Sequence, residues 1–200
     1  PGMSPRVAEG TSRYTLPLAL LGLPAFLFSP FSGLLVAIAA VVVLAFHRDP
    51  DRVVPDSGIV APADGRVSVV REEDDRLRVG IFMNVTDVHV NRAPLGGTVQ
   101  SVTHSPGKHW PAFTKESDRN EKVRVEFEDY TIVQIAGAVA RRIHPSVEAG
   151  DTVERGERIG HISFSSRVDV IFPEGVTRED LLVGEGGAVT AGETKLVADR

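Results

Sequence analysis

The stretch Val147-Glu148-Ala149-Gly150-Asp151-Thr152-Val153-Glu154-Arg155-Gly156-Glu157-Arg158-Ile159-Gly160 has the form V-x-x-G-D-x-V-x-x-G-x-x-I-G. Residues Val183 to Leu196 repeat its outline as V-x-x-G-x-x-V-x-x-G-E-T-x-L. Each glycine pair marks two tight turns between short strands, because glycine reaches the backbone angles such turns need. Outward from this repeat the same texture continues. Gly65 to Val70, Leu77 to Met83, Val123 to Phe127, Thr131 to Ile135 and Val168 to Phe172 are short β-branched runs separated by Gly, Pro and Asp turns. They have strand length and close spacing, so the part after Val53 reads as mainly β, an antiparallel sandwich or barrel. Ser105 to Glu121 lacks alternation and carries Pro106, Gly107 and Pro111, which predicts a long loop, a feature that is often functional.

The repeat is similar to the hairpins of lipoyl- and biotinyl-type barrel-sandwich domains. Those carriers present a lysine at a hairpin tip, and no such lysine occurs here, so the likeness concerns architecture. It leaves a non-catalytic, barrel-sandwich binding module as one reading of the chain.

The amino-terminal part is different. From Thr15 to Phe46 there is no Asp, Glu, Lys or Arg. Two apolar stretches, Leu16 to Phe28 and Phe31 to Phe46, are separated by Pro30. A spanning helix needs roughly 20 apolar residues, and neither stretch reaches that alone. Two readings stay open: a helical hairpin dipping into one leaflet, or a single tilted span with a Pro-Gly irregularity. A globular core helix would show a polar face, and this segment has none. No A-x-A-like site precedes the polar part, against a cleaved signal peptide, and Pro1-Gly2 ahead of Met3 reads as a cloning remnant. His47 to Arg52 reads as the exit from lipid into water. The expected organisation is thus residues 1–50 as an apolar helical membrane segment and 51–200 as a β domain.

Composition narrows the chemistry. A net charge of -5 over 200 residues argues against nucleic-acid partners. The absence of cysteine excludes disulfides, thiolate metal sites and a Cys nucleophile. No pair among the six histidines has metal-ligand spacing on a helix, and no metal is expected. Three places stand out. Asp64 lies in Ala61-Pro62-Ala63-Asp64-Gly65, where turn formation is the simple alternative. In Asn84 to Pro94, strand alternation would put Asp87, His89 and Asn91 on one face beside Arg92, a setting suited to acid–base work. Ser163 to Asp169 carries serines ahead of a strand.

Taken together these places resemble the short-form phosphatidylserine decarboxylases, including the archaeal relatives that act on archaetidylserine. The match runs from about Phe46 to Val197. It comprises F-x-R-D-P-x-R at Phe46 to Arg52, A-P-A-D-G at Ala61 to Gly65, D-V-H-V-N-R-A-P at Asp87 to Pro94, Asn120-Glu121, I-A-G-x-x-A-R-R-I at Ile135 to Ile143, and F-x-S-R-V-D at Phe164 to Asp169.

The resemblance implies a proenzyme that cuts itself between Ser165 and Ser166. Ser166 attacks the Ser165 carbonyl, an ester forms, and β-elimination leaves a dehydroalanine that loses ammonia to become a pyruvoyl group. The products are a large β chain and a small α chain of 200 − 165 = 35 residues. The pyruvoyl cofactor made from Ser166 then takes the substrate amine as a Schiff base and serves as electron sink for decarboxylation. His89 is the candidate base and Asp64 the residue that orients it, by the logic of the serine-hydrolase triad. Asn91, Arg92 and Lys108 are candidate substrate-binding residues, on residue type. The partner is a phospholipid in a membrane, with the catalytic domain on the cytoplasmic side, and exposed sheet edges leave room for a homodimer. Trp110 and Phe113 are placed either at the lipid interface or in the core. A decarboxylase of a soluble amino acid is the remaining alternative.

Two positions depart from the family pattern. The usual site reads F-G-S-R-V-D, and Ser165 stands here where glycine is usual. Long-form members carry H-x-x-H where this chain has His89 and Arg92, leaving His144 and His161 as spare histidines.

Overall fold

The computed structural model describes residues 6–8, 11–108, 110, 118–137, 143–162 and 166–198. The chain divides into two compact units, Pro1–Asp51 and Arg52–Arg200.

In the first unit, β1 (Arg6–Val7) pairs antiparallel with β2 (Arg48–Asp49). Between them lie α1 (Ser12–Phe28) and α2 (Pro30–Phe46). The chain turns at one extended residue, Ser29, whose side chain caps α2 by accepting from the Phe31 amide at 3.3 Å. Pro30 then occupies the first helical position, where no amide hydrogen is needed. Gly33 permits the two helices to approach, since a Cβ there would lie 2.8 Å from Phe26 Cα. The segment is therefore a helical hairpin and not a single span. Each helix has 17 residues, about 25 Å at 1.5 Å per residue. No helix among the described residues is long and apolar enough to cross a membrane. Leu20, Leu27, Phe28, Phe31, Leu35 and Val41 are exposed.

The second unit is mainly β, as the turn-punctuated runs predict. Its strands are β3 (Ile59–Val60), β4 (Gly65–Glu73), β5 (Arg76–Met83), β6 (Val90–Arg92), β7 (Gly97–Ser105), β8 (Lys122–Phe127) and β9 (Thr131–Ala136). They continue with β10 (Ile143–Pro145), β11 (Thr152–Val153), β12 (Arg158–Ile162), β13 (Ser166–Ile171), β14 (Ala188–Val189) and β15 (Lys195–Val197). Eight form one curled antiparallel sheet in the order β11-β7-β8-β9-β13-β5-β4-β14. Strands β10-β12-β6 make a second sheet and β15-β3 a third. The inner face of the large sheet carries Ile81, Val125, Ile132, Val168 and Val170, all fully buried. Burial of such a side chain stabilises by about 1.5–3 kcal/mol.

The repeat seen at 147–160 and 183–196 is one part of a larger internal symmetry. Ala61-Pro62-x-x-Gly65-x-Val67 recurs as Ala93-Pro94-x-x-Gly97-x-Val99. The two copies exchange hydrogen bonds, with the Val60 amide donating to Pro94 O at 3.1 Å and the Arg92 amide to Pro62 O at 2.9 Å. Gly192 donates to Ala61 O just as Gly156 donates to Ala93 O, both at 2.8 Å. β4 and β7 carry the same bulge, between Val67 and Val69 and between Val99 and Ser101. The matched short strands β14 and β11 end the sheet on its two sides. A pseudo-twofold axis thus runs between β9 and β13.

One local expectation changes. Residues 87–89 are not strand. Asp87 closes a turn, its Oδ2 accepting from the Asn84 amide at 2.7 Å, and β6 starts only at Val90. Within the long segment from Ser105 to Glu121, the described part is tied by a bridge between Lys108 and Asn120, while residues 109 and 111–117, Phe113 among them, lie outside the described residues.

Candidate active site

Ser166 does not precede a strand; it begins one. β13 sits between β5 and β9, and Ser166 lies opposite Met83 on one side and Ala136 on the other. Directly paired residues share a face, so Ser166 faces inward with Met83, Ala136 and, one rung along, Val168 and Gln134. Its hydroxyl is fully buried and makes no hydrogen bond among the described residues. Ser165, its predicted partner in cleavage, lies outside the described residues.

Asn91 reaches this face from the second sheet. Its Nδ2 donates to Met83 Sδ at 3.7 Å, and its Oδ1 accepts from Gln134 Nε2 at 2.7 Å. Both amides are fully buried. Gln134, which the sequence reading did not single out, lies on the same face as Ser166. The signal was present: in Thr131-Ile132-Val133-Gln134-Ile135-Ala136, position 134 shares the inward parity of Ile132 and Ala136.

His89 is buried directly before β6. Its Nδ1 lies 2.8 Å from the Asp87 carbonyl oxygen. A carbonyl only accepts, so Nδ1 carries the hydrogen and Nε2 is left as the basic nitrogen. The His89 carbonyl accepts from the Ile162 amide at 3.2 Å, which places His89 beside the strand that leads to Ser166 within four residues.

Asp64 is held by two other groups. Arg52 Nη2 donates to both its carboxylate oxygens at 3.0 and 2.9 Å, and the Ala191 amide donates to Oδ1 at 2.8 Å. One hydrogen bond that orients the His89 ring goes to the backbone carbonyl of Asp87. Arg92 is buried and donates from Nη1 to Gly156 O at 3.0 Å, while Lys108 is exposed. The structure thus brings Asn91 to Met83, the strand partner of Ser166, ties Arg92 to the Gly156 carbonyl and leaves Lys108 on the surface. Trp110 is half exposed, and Asn120 holds its backbone at both ends, at 2.7 and 2.6 Å, while also donating to Ala136 O at 2.8 Å.

The other face of β13 is ionic. Arg167 Nε donates to Asp169 Oδ1 at 2.7 Å, Arg78 Nε donates to Asp169 Oδ2 at 2.7 Å, and Arg167 Nη2 also donates to Asp118. Arg71 Nη1 bonds Asp118 at 2.8 Å, and Arg78 pairs with Glu73. Burial pushes the Asp118 carboxyl up, but the hydrogen bonds and charges of Arg71 and Arg167 outweigh it and hold it below the ordinary carboxylate range. The same balance, with Arg78 and Arg71 as partners, lowers Glu73. A cleft of about 400 Å³ lined by Ile59, Leu95, Pro173, Val176 and Val197 lies beyond the opposite end of β13 and shares no residue with the surroundings of Ser166.

Residues 39–197 match the phosphatidylserine decarboxylase family. Among curated relatives, a putative archaetidylserine decarboxylase proenzyme of Halobacterium salinarum is 56% identical, covering 93% of this chain and 95% of its own. A phosphatidylserine decarboxylase proenzyme of Streptomyces griseus is 47% identical over 97% of this chain and 94% of its own. A putative archaetidylserine decarboxylase proenzyme of Methanosarcina mazei is 42% identical over 76% and 73%. No solved structure matches the chain significantly.

Proposed function

The chain belongs to the phosphatidylserine decarboxylase family, and from that premise we propose that it is a self-processing proenzyme that decarboxylates a phospholipid with a serine headgroup. The observation that carries the self-processing is the Ser166 hydroxyl, fully buried with no hydrogen-bond partner among the described residues. An unsatisfied buried hydroxyl costs about 1–3 kcal/mol, and such groups persist where chemistry uses them.

In the proposed cleavage, His89 Nε2 takes the Ser166 hydroxyl proton while Oγ bonds the Ser165 carbonyl carbon, and it hands that proton to the Ser166 nitrogen as the peptide C–N bond breaks, leaving an ester and a free amine. Removal of the Ser166 Cα proton then expels the Ser165 carboxylate by breaking the Cβ–Oγ bond. Water finally hydrolyses the dehydroalanine, releasing ammonia and leaving the ketone of a pyruvoyl group. Burial among Met83, Ala136 and Val168 keeps bulk water from the ester until elimination is complete. The orphaned hydroxyl at the start of β13 fits Ser166 as precursor of that group. Once formed, the pyruvoyl carbonyl supplies an electrophile for the substrate amine and a sink for the electrons of the departing carboxylate. His89, held in one tautomer by the Asp87 carbonyl, is suited to return the proton. Asp64 serves as a positioning residue through Arg52 and the Ala191 amide.

The exposed apolar hairpin α1–α2 is proposed to enter one leaflet and keep the protein at the membrane that holds its substrate, on the cytoplasmic side. A lipid leaves its bilayer only at a cost of about 0.8 kcal/mol per CH₂, so the enzyme must come to the lipid. The small α and large β chains remain associated, joined by the pairing of β13 with β5 and β9.

The deciding experiment is the intact mass of freshly purified protein and of Ser166→Ala. The expected result is a 35-residue fragment (200 − 165) with a blocked amino terminus in the parent only, with decarboxylation of lipid far exceeding that of free serine. A parent that stays one chain, with no carbonyl trapped by hydroxylamine, would reject the proposal.

A further inference from the structure

The inner face around Ser166 holds a second orphan. Gln134 Oε1 is fully buried and has no hydrogen-bond partner among the described residues. Its orientation is fixed from three sides. Nε2 donates to Asn91 Oδ1 at 2.7 Å, the Asn91 amide nitrogen is directed at Met83 Sδ, and Gly160 leaves room for the amide, since a Cβ there would sit 3.1 Å from Nε2. Turning both amides over would face the Asn91 oxygen to the Met83 sulfur, which has no hydrogen to give. The free atom is therefore an acceptor. Gln134 pairs with Val168 and Ser166 with Ala136, so the two orphans occupy adjacent rungs of neighbouring strands, diagonal positions about 7–8 Å apart at the backbone and within reach of a long side chain.

We infer that Gln134 Oε1 receives an N–H of the substrate's amine and aims its nitrogen at the reactive carbon of residue 166. The inference rests on the functional reading above and adds a residue to it. An amine is a nucleophile only as the free base. A carboxylate at this place would stabilise the ammonium form and raise its pKa. A neutral amide accepts the hydrogen bond without that penalty. The charges of β13 all lie on its other face, with Arg167 and Asp169, so none competes for the amine. The pseudo-symmetry also marks the position: Gln134 stands on β9 where the matching place, directly after β13, is Phe172, a fully buried phenylalanine.

The test uses self-cleaved protein and two probes, hydroxylamine, which is neutral near pH 7, and glycerophosphoserine with cyanoborohydride, each read as added mass on the small chain. In Gln134→Met, which keeps volume and removes the acceptor, cleavage and hydroxylamine addition should match the parent. Glycerophosphoserine trapping should fall about tenfold, the worth of one hydrogen bond. Gln134→Glu keeps shape and acceptor, and its trapping should require higher pH than the parent. Unchanged trapping in Gln134→Met overturns the proposal and leaves the amide a packing residue or a water site. Loss of cleavage in a Gln134→Met protein of normal melting also overturns it, by moving the amide to chain cutting. If Gln134→Met does not fold, an unshifted pH profile in Gln134→Glu overturns it. Absence of cleavage and of hydroxylamine addition in the parent would instead strike the functional reading itself.

Discussion

Ser166 Oγ and Gln134 Oε1 are buried polar atoms without hydrogen-bond partners among the described residues, and small changes around them should have distinct effects. Replacing the unusual serine at 165 by glycine is expected to speed self-cleavage, because glycine reaches backbone geometries that serine reaches only with strain; a time course of fragment formation checks this. Gly160 has φ +144 and a Cβ there would lie 2.5 Å from His144 O. Gly160→Ala is therefore expected to destabilise by about 1–3 kcal/mol and to displace Gln134, seen as a lower urea midpoint together with weaker amine trapping. The motif residues divided along physical lines. The motifs of the family resemblance were needed to single out Asp64 and Ser166 as candidates, while strand alternation alone drew attention to His89 and Asn91. Their partners were not legible: the ion pair of Asp64 with Arg52 and the contact of Asn91 with Gln134 join residues 12 and 43 positions apart, and only the folded chain brings them together.

At the scale of elements, β13 is held on one face by packing and on the other by charge. Proposed cleavage at its first residue would make the pairs Arg167–Asp118 and Asp169–Arg78 bonds between chains. Removing one member of a buried pair costs about 3–5 kcal/mol, so Asp169→Ala is expected to lose most of the protein's stability, while Arg124→Ala, on an exposed pair, should lose under about 1 kcal/mol. The network also sets an acid limit. Asp118 and Glu73 have folded pKa values below their unfolded ones, so the unfolded state binds more protons as the pH drops. Their stabilisation is complete above the ordinary carboxylate range, about pH 4, and disappears as pH falls further. Urea unfolding between pH 6 and 3 should show this loss, and Asp118→Asn should flatten it. In the first unit, Pro30 and Gly33 foretold a break, but the choice of hairpin over span was made by the close approach of Gly33 to Phe26. Leu35→Asp, on an exposed helical face, is expected to reduce flotation with liposomes without altering self-cleavage.

At the scale of the β unit, two copies of one strand pattern close around an axis between β9 and β13, and the copies differ where the chemistry is proposed. Asp64 corresponds to Gly96 and Arg92 to Val60 in the matched segments. The proposed small chain contributes β13 to the centre of the large sheet, β14 to its edge and β15 to the pair with β3. It is therefore expected to co-elute with the large chain on gel filtration in buffer and to separate only in denaturant. Short β-branched runs and paired glycines determined by themselves that this part of the chain is antiparallel β, because side-chain alternation and turn geometry are local properties. The family motifs likewise determined the reaction class, since each is contiguous. Which strands adjoin β13, which face Ser166 takes and which amide waits beside it were decided only by the tertiary structure. A one-residue shift in strand pairing exchanges the inner and outer faces, and the register that prevents it comes from contacts between distant parts of the chain.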